Sequence, residues 1–286
     1  MSESIELRGG ADPERNRFVF SSWHLVLLPL AILMIVPLLW MLVTSIETLN
    51  ETRHFPPILV PHIVRLQNYS DVLQQAPFAR WFLNTLVVTV VVVVGNLFFC
   101  SLAGYAFARI KFFGREAAFL LVLATLMIPF QVIMIPTFLI VRKLGLIDTL
   151  GALIVPNLAG AFGIFLLRQF FRSLPIELEE AARIDGASRL GVLFKIILPL
   201  SGPVLATVAV VTFLWTWNDF LWPLVTLYSP NNYTLQLGLT TFQGAHQTNT
   251  HLLMAANVMS VLPVLVLFFA AQRFFIRGIA TSGLKG

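Results

Sequence analysis

The stretch SLPIELEEAARIDGAS, residues 173–188, is a polar segment between two long apolar segments near the middle of the chain. It predicts a short helix closed by a turn, because Pro175 suits the first turn of a helix and Glu177 complements the positive helix end. Gly186 can adopt the left-handed conformation that ends a helix. The apolar segments on either side, and their counterparts along the chain, therefore decide the fold.

Composition places the chain in a membrane. Of its 286 residues, 57% are hydrophobic and only 12% are charged, and the mean hydropathy is +0.83. Soluble domains carry about 25% charged residues, so this chain has too few charges to cover a surface that faces water. The net charge of +5 is spread over short basic clusters between apolar runs, a pattern that sets membrane orientation and does not predict a nucleic-acid partner.

Six stretches are long and apolar enough to cross the lipid as helices, since about 20 residues span the hydrocarbon core. They lie at about 23–44, 82–108, 117–141, 149–167, 196–218 and 252–272. The block Val87–Val94 would favour a strand in water, but in lipid a helix satisfies its own backbone. The first stretch could instead be a signal peptide; it lacks a small-residue cleavage site before Glu47, so we expect a retained helix. The sequence thus predicts an all-α polytopic membrane protein with six transmembrane helices.

Basic residues predict the orientation. With the N-terminus in the cytoplasm, 14 of the 19 Lys and Arg residues fall on the cytoplasmic side, as the positive-inside rule requires. This orientation makes 1–22 and 273–286 cytoplasmic tails and 45–81 an extracytoplasmic loop, with 82–272 as the core. The polar loop at about 173–199 then lies in the cytoplasm.

A longer pattern runs through that loop. Glu180-Ala181-Ala182 is followed by Gly186, Ile196 and Leu198-Pro199, which gives E-A-A-x3-G-x9-I-x-L-P. This spacing resembles the EAA loop of bacterial ABC importer permeases. The likeness extends from about Phe55 to Gly286. The chain is similar in particular to the MalG-like subunits of type I carbohydrate importers. Further matching stretches are Phe55-Pro56-Pro57, Asn68-Tyr69, Trp81–Thr85, Trp217–Pro223 and Gln272–Gly278.

The resemblance implies that this chain is one subunit of a transporter with several different subunits. A homologous second permease would complete the pathway, a dimer of ATPase subunits would bind ATP and Mg, and an extracytoplasmic binding protein would deliver the sugar. This chain would bind no cofactor itself and would lie in the bacterial cytoplasmic (inner) membrane. The residues that would couple it to the ATPase are Glu180, Ala181, Ala182, Asp185, Gly186, Ile196, Leu198 and Pro199.

Two further contacts follow from the same resemblance. The C-terminal tail would reach the ATPase through Arg277, Lys285 and Gly286, although Leu284 stands where a smaller residue is usual. The last outer loop, about 223–251, would contact the binding protein. The residues near its middle are Thr240, Thr241, Phe242, Gln243 and Gly244.

Polar and aromatic residues at membrane depth predict a substrate path through Gln131, Asn157, Trp217, Asn218 and Asp219. Amide side chains both donate and accept hydrogen bonds, as sugar hydroxyls require, and aromatic faces can stack on sugar rings. The alternative interpretation is hydrogen bonding between helices, with the tryptophans in an aromatic belt at the outer interface.

The predicted helix interiors contain no Lys, Arg, Asp or Glu, which favours a neutral di- or oligosaccharide as substrate. Importers of glycerol-phosphate or of a polyol share the same motifs and remain an alternative. An ion-coupled secondary transporter would place charges at mid-membrane, and a membrane scaffold would not need the EAA spacing. No catalytic motif is present, and the five histidines lack the spacing of a metal site.

Overall fold

The computed structural model describes residues 23–244 and 248–282, with side chains as far as residue 272. Within those residues the chain is almost entirely helical, and its β-structure is one isolated bridge between Gln243 and Thr248. The predicted tail 1–22 lies outside the described residues, as do Lys285, Gly286 and the side chain of Arg277.

The helices, in chain order, are α1 (His24–Ser45), α2 (Gln67–Gln75), α3 (Phe78–Arg109), α4 (Arg115–Thr125), α5 (Phe130–Lys143), α6 (Gly151–Ile154), α7 (Ala161–Ser173), α8 (Glu177–Ile184), α9 (Arg189–Val192), α10 (Leu198–Leu200), α11 (Gly202–Trp217), α12 (Leu221–Thr226), α13 (Leu235–Leu239) and α14 (Thr250–Ser282). A π-helical turn, Leu193–Ile197, joins α9 to α10.

In the described part of the chain, four helical stretches can each cross a membrane unaided: His24–Ser45, Phe78–Arg109, Gly151–Ser173 and Thr250–Gln272. Two more spans arise if each of two bent helix pairs counts as one. The first pair joins α4 to α5 at 102°, and the second joins Arg189–Leu200 to α11 at 83°. The described residues therefore contain four to six candidate spans, and the predicted count of six corresponds to the upper value.

The predicted segments 117–141 and 196–218 each contain a bend in the structure. Pro129 directly precedes α5 with an extended ψ of 139°, and its ring disfavours helical geometry at the preceding residue. The second bend falls at Ser201, after which Pro203 lies in the first turn of α11. Residues 196–200 thus continue the helical stretch Arg189–Leu200 and meet α11 at an angle.

The chain divides into two units, one up to Trp40 and one from Met41 onward. In the second unit α3 is the central helix and packs chiefly against α7 and α11. Three apolar clusters lie along it. They include Trp81 near its N-terminal end, Val88 and Val92 in its middle, and Cys100 and Tyr105 towards its C-terminal end. Since each cluster also contains residues from later helices, α3 connects one end of the unit to the other.

Candidate functional site

A cavity of about 380 Å³ lies beside the middle of α3. Its wall combines hydroxyl, amide and carboxyl groups with aromatic rings. The polar lining residues are Thr85, Asn96, Asn157, Thr212, Thr216, Asp219 and Thr234, and the aromatic ones are Phe130, Phe162, Trp215 and Trp222. This volume lies within the range of about 300–1,000 Å³ that is usual for small-molecule sites.

Two amides are held in place on one wall of the cavity. Asn96 Nδ2 on α3 donates a hydrogen bond of 2.8 Å to the carbonyl oxygen of Asn157. Asn157 Nδ2 in turn donates to the carbonyl oxygen of Leu153 at 2.9 Å. Because each of these bonds engages an Nδ2 group, the amides are oriented before any ligand binds.

Asp219 also lines the cavity, between the end of α11 and the start of α12. Its Oδ1 accepts a hydrogen bond of 3.3 Å from the backbone N–H of Trp222. Trp222 Nε1 donates to the carbonyl oxygen of Ala152 at 3.0 Å, and the Trp222 ring packs edge-on against Phe130 at 5.7 Å. These contacts fix the carboxylate and the indole relative to each other.

Trp215 presents a more open aromatic surface. Its ring is 5.6 Å from that of Phe162, yet 64% of the residue is exposed. Thr212 and Thr216 flank it at helical spacing, so the three side chains share one face of α11. This i, i+3, i+4 spacing of polar and aromatic residues is the sequence pattern that would have identified this wall.

The predicted path residues fall into two groups. Asn157 and Asp219 line the cavity, whereas Gln131, Trp217 and Asn218 are not among its lining residues. Trp217 is buried, donates from Nε1 to the carbonyl oxygen of Ser260 at 3.1 Å, and stacks on Phe213 at 5.3 Å. Asn218 Nδ2 donates to the backbone carbonyl of Leu214 at 2.8 Å, and Gln131 is exposed.

The EAA loop folds as a helix, a turn and a second helix. Gly186 ends α8 with a positive φ of 85°, and Ala187 N–H donates back to the carbonyl oxygen of Ala182 at 2.9 Å. That bond closes the helix in the manner of a Schellman motif. The hydroxyl of Ser188 then accepts a hydrogen bond of 3.1 Å from Gly191 N–H and caps α9, so the turn has a defined shape.

The side chains of the motif divide between the surface and the interior. Glu180, Ala181, Asp185 and Gly186 are exposed, as is Pro199, while Ala182, Ile196 and Leu198 are half-buried. Ile184, which the motif does not include, is 86% exposed. The turn therefore presents an apolar side chain between two carboxylates, which we call the loop tip (Glu180, Ile184 and Asp185).

The connection between α11 and α14 is anchored rather than loose. Trp81 Nε1 donates to the carbonyl oxygen of Pro230 at 2.8 Å, and Asn84 Nδ2 donates to that of Asn231 at 2.9 Å. Asp148 accepts hydrogen bonds from the backbone N–H of Tyr228 and the hydroxyl of Ser229. The Ser229 bonds, with other donors nearby, lower the pKa of Asp148 to about 2.

The five residues predicted to contact a binding protein have different environments. Phe242 is buried in the apolar cluster around Trp81, and the hydroxyls of Thr240 and Thr241 donate to backbone carbonyls of α13, each at 2.7 Å. Thr241, Gln243 and Gly244 are exposed. Only these three can meet a partner without unpacking the segment.

Comparison with known proteins gives consistent findings. Residues 97–281 match the family described as "Binding-protein-dependent transport system inner membrane component". The arabinooligosaccharides transport system permease protein AraQ of Halalkalibacterium halodurans is 40% identical over 260 residues, which cover 90% of this chain and 93% of AraQ. The sn-glycerol-3-phosphate transport system permease protein UgpE of Pectobacterium atrosepticum is 34% identical over 97% of this chain and 99% of UgpE.

A solved structure is also similar. It is a bacterial ABC transporter involved in the import of the acidic polysaccharide alginate. The match has a TM-score of 0.80 at 28% identity and covers 88% of this chain and 94% of that one.

Proposed function

Because the chain belongs to the family of binding-protein-dependent transport system inner membrane components, we propose that it is a permease subunit of an ATP-driven importer of carbohydrate. The observation that carries this proposal is the cavity beside α3, where oriented amides and open aromatic faces meet inside a membrane-spanning fold. Amides satisfy hydroxyl groups in both hydrogen-bonding directions. The relatives named above, which transport arabinooligosaccharides and sn-glycerol-3-phosphate, support the same class of cargo.

The charge of the lining favours a neutral di- or oligosaccharide. Among the residues that line the cavity, Asp219 is the ionisable one, and no Lys or Arg lines it. A phosphate or carboxylate ligand would meet a like charge there without a compensating cation, which disfavours binding. Glycerol phosphate, the cargo in the name of one relative, and a polyol are the second candidates.

Uptake by cells tests this proposal. In the native host with its chromosomal gene deleted, the plasmid-borne chain should restore uptake of radiolabelled arabinotriose. Trp215→Ala and Asn157→Leu should each lower uptake by about tenfold, as expected when a side chain that contacts a ligand hydroxyl or ring is lost. Trp23→Ala is the matched control, since Trp23 is similarly exposed, at 70%, and is not among the lining residues.

Competition separates the candidates for the cargo. Excess unlabelled sn-glycerol 3-phosphate should leave arabinotriose uptake unchanged. Restored uptake of labelled sn-glycerol 3-phosphate, without restored uptake of arabinotriose, would contradict the neutral-sugar assignment and would favour the second candidate.

The loop tip is the proposed docking surface for a separate ATPase, which would bind ATP and Mg. Its exposed apolar side chain between two carboxylates fits a partner groove that is apolar at its base and basic at its rim. The tail residues Arg277, Lys285 and Gly286 are a second proposed contact with the ATPase, on the family resemblance alone.

Two further partners are proposed. An extracytoplasmic sugar-binding protein would meet the exposed residues Thr241, Gln243 and Gly244, and a homologous second permease would complete the pathway.

These assignments require the chain to lie in the inner membrane with both termini and the EAA loop in the cytoplasm. In a Cys100→Ser background, we expect an impermeant maleimide to label Gln243→Cys in intact cells. Arg183→Cys, equally exposed on α8, should react only after permeabilisation. The opposite labelling pattern would reverse the orientation and place the loop tip on the wrong side for an ATPase.

A further inference from the structure

A buried ion pair joins the EAA loop to α3. Arg109 Nε, in the last turn of α3, lies 2.7 Å from Glu179 Oε1, and the two side chains are only 10% and 8% exposed. The contact is between charges rather than an aligned hydrogen bond, because neither atom has a hydrogen-bond partner among the described residues. Burial of a charge is tolerated only when it is paired, so the position of one side chain constrains the other.

Additional hydrogen bonds fix both partners. Tyr105, one turn earlier on α3, donates its hydroxyl to Glu179 Oε2 at 3.1 Å. Arg109 Nη2 donates to the carbonyl oxygens of Phe171 at 2.7 Å and Leu174 at 2.6 Å. Those carbonyls lie where the chain leaves α7 and approaches α8. Arg109 therefore joins α3 to the C-terminal end of α7 through these bonds and to α8 through Glu179.

Glu179 and Glu180 are neighbours with opposite environments. Glu179 points into the interior, whereas Glu180 is exposed at the loop tip. On a helix, consecutive residues are about 100° apart, so α8 can present one carboxylate to a partner and the other to the transmembrane helices.

The N-terminal part of α3, away from Arg109, lines the cavity. Thr85, Val88, Val92 and Asn96 form a stripe at helical spacing along its cavity face, and Tyr105 and Arg109 follow about two and a half and three and a half turns after Asn96. A continuous helix is stiff over this distance, so displacement at its C-terminal end moves the cavity wall as well.

We infer that Arg109 and Glu179 are positioning residues that transmit movement of the EAA loop to the cavity wall through α3. This inference rests on the proposed function, since it presupposes an ATPase at the loop tip. Neither residue touches the substrate or the ATPase; the pair makes α8 and α3 move as one body. Without it, the loop can still dock, but its movement no longer displaces α3.

The test separates docking from transmission. The full complex is purified through an N-terminal tag on the chain, and the amount of copurified ATPase is measured together with its ATP hydrolysis. A cysteine at Thr216, in the cavity lining, is introduced in the Cys100→Ser background. Its rate of maleimide labelling is compared with and without MgATP and vanadate, and arabinotriose uptake is measured in cells.

For Glu179→Gln and Arg109→Gln we expect ATPase recovery at the wild-type ratio and at least a tenfold loss of uptake. The nucleotide-dependent change in labelling at Thr216→Cys should also disappear. Tyr105→Phe, which removes one hydroxyl and keeps the ring, should fold normally and lower uptake about two- to fivefold. The matched controls are Glu177→Gln and Arg172→Gln, both exposed, and they should behave as wild type.

Two results would overturn the inference. One is nucleotide-dependent labelling and uptake that persist in Glu179→Gln, Arg109→Gln and Tyr105→Phe. The other is loss of the ATPase in proportion to uptake, which would make Glu179 a docking or folding residue. A wild-type chain that recovers no ATPase would instead refute the proposed function, on which the inference rests.

Discussion

Gly186→Val is expected to lower uptake at least tenfold while the amount of chain in the membrane stays unchanged. Gly186 has a φ of 85°, a conformation that costs an ordinary L-residue about 1–2 kcal/mol and a β-branched residue more. A Cβ at this position would meet nothing within 4 Å, so the penalty comes from the backbone and not from a clash. The turn would rearrange and displace the loop tip.

The controls separate backbone strain from added bulk. Gly186→Asn should keep most of the uptake, because asparagine tolerates the left-handed region. Gly202→Ala should be neutral, since a Cβ there also meets nothing within 4 Å and its φ is not positive. Glu180→Lys should abolish uptake for a different reason, because it reverses a charge on the loop tip, the proposed docking surface for the ATPase. Wild-type uptake and ATPase recovery in both Gly186→Val and Glu180→Lys would refute the docking assignment.

The shape of the EAA turn could be predicted from the sequence because its determinants are local. A helix end needs a residue that tolerates positive φ, and Gly186 was predicted to provide it. The cap of the next helix by Ser188 was not predicted, although it also lies within three positions. The all-helical membrane fold was predictable for a similar reason, since apolar length and the cost of unsatisfied backbone groups in lipid leave few alternatives.

The cavity was predicted only in part. Asn157 and Asp219 belong to it, but Trp217 points to the other side of α11 and packs on Phe213. Polarity at membrane depth indicates that a residue needs a partner, without saying whether that partner is a ligand or another helix. The rotation of α11 decides this, and it depends on packing against α3, α7 and α14.

The bends and the buried ion pair required the structure. Pro129 predicts a disturbance, but the angle of 102° between α4 and α5 depends on tertiary contacts. Arg109 and Glu179 are far apart in the chain, and Glu179 lies within an acidic cluster that suggests exposure. Without helix–helix packing, nothing in the sequence separates Glu179 from the exposed Glu180.

The second large effect is expected at Gly238, in α13. A Cβ at this position would overlap the indole of Trp81, since the three nearest ring atoms all lie within 2.8 Å. Trp81 is almost fully buried, at 1% exposed, and its Nε1 donates to the carbonyl oxygen of Pro230 at 2.8 Å. Any side chain on residue 238 must therefore displace the ring, the hydrogen bond and the segment that the bond anchors.

Gly238→Ala should destabilise the protein strongly, because overpacking of a core costs about 1–3 kcal/mol and a buried N–H left without its acceptor costs about 1–3 kcal/mol more. The measurement is thermal unfolding of the detergent-purified chain, with Gly202→Ala as the neutral control. Trp81→Leu removes most of the ring, so Gly238→Ala should cost much less in that background, which a double-mutant cycle detects as a coupling energy. If Gly238→Ala lowers the stability of the protein equally in the wild-type and Trp81→Leu backgrounds, the indole is not the obstacle.

The packing of Gly238 on Trp81 should also affect the response to a sugar-binding protein. Because the exposed residues Thr241, Gln243 and Gly244 follow directly on α13, loss of this packing should abolish that response, even in the fraction of chain that remains in the membrane.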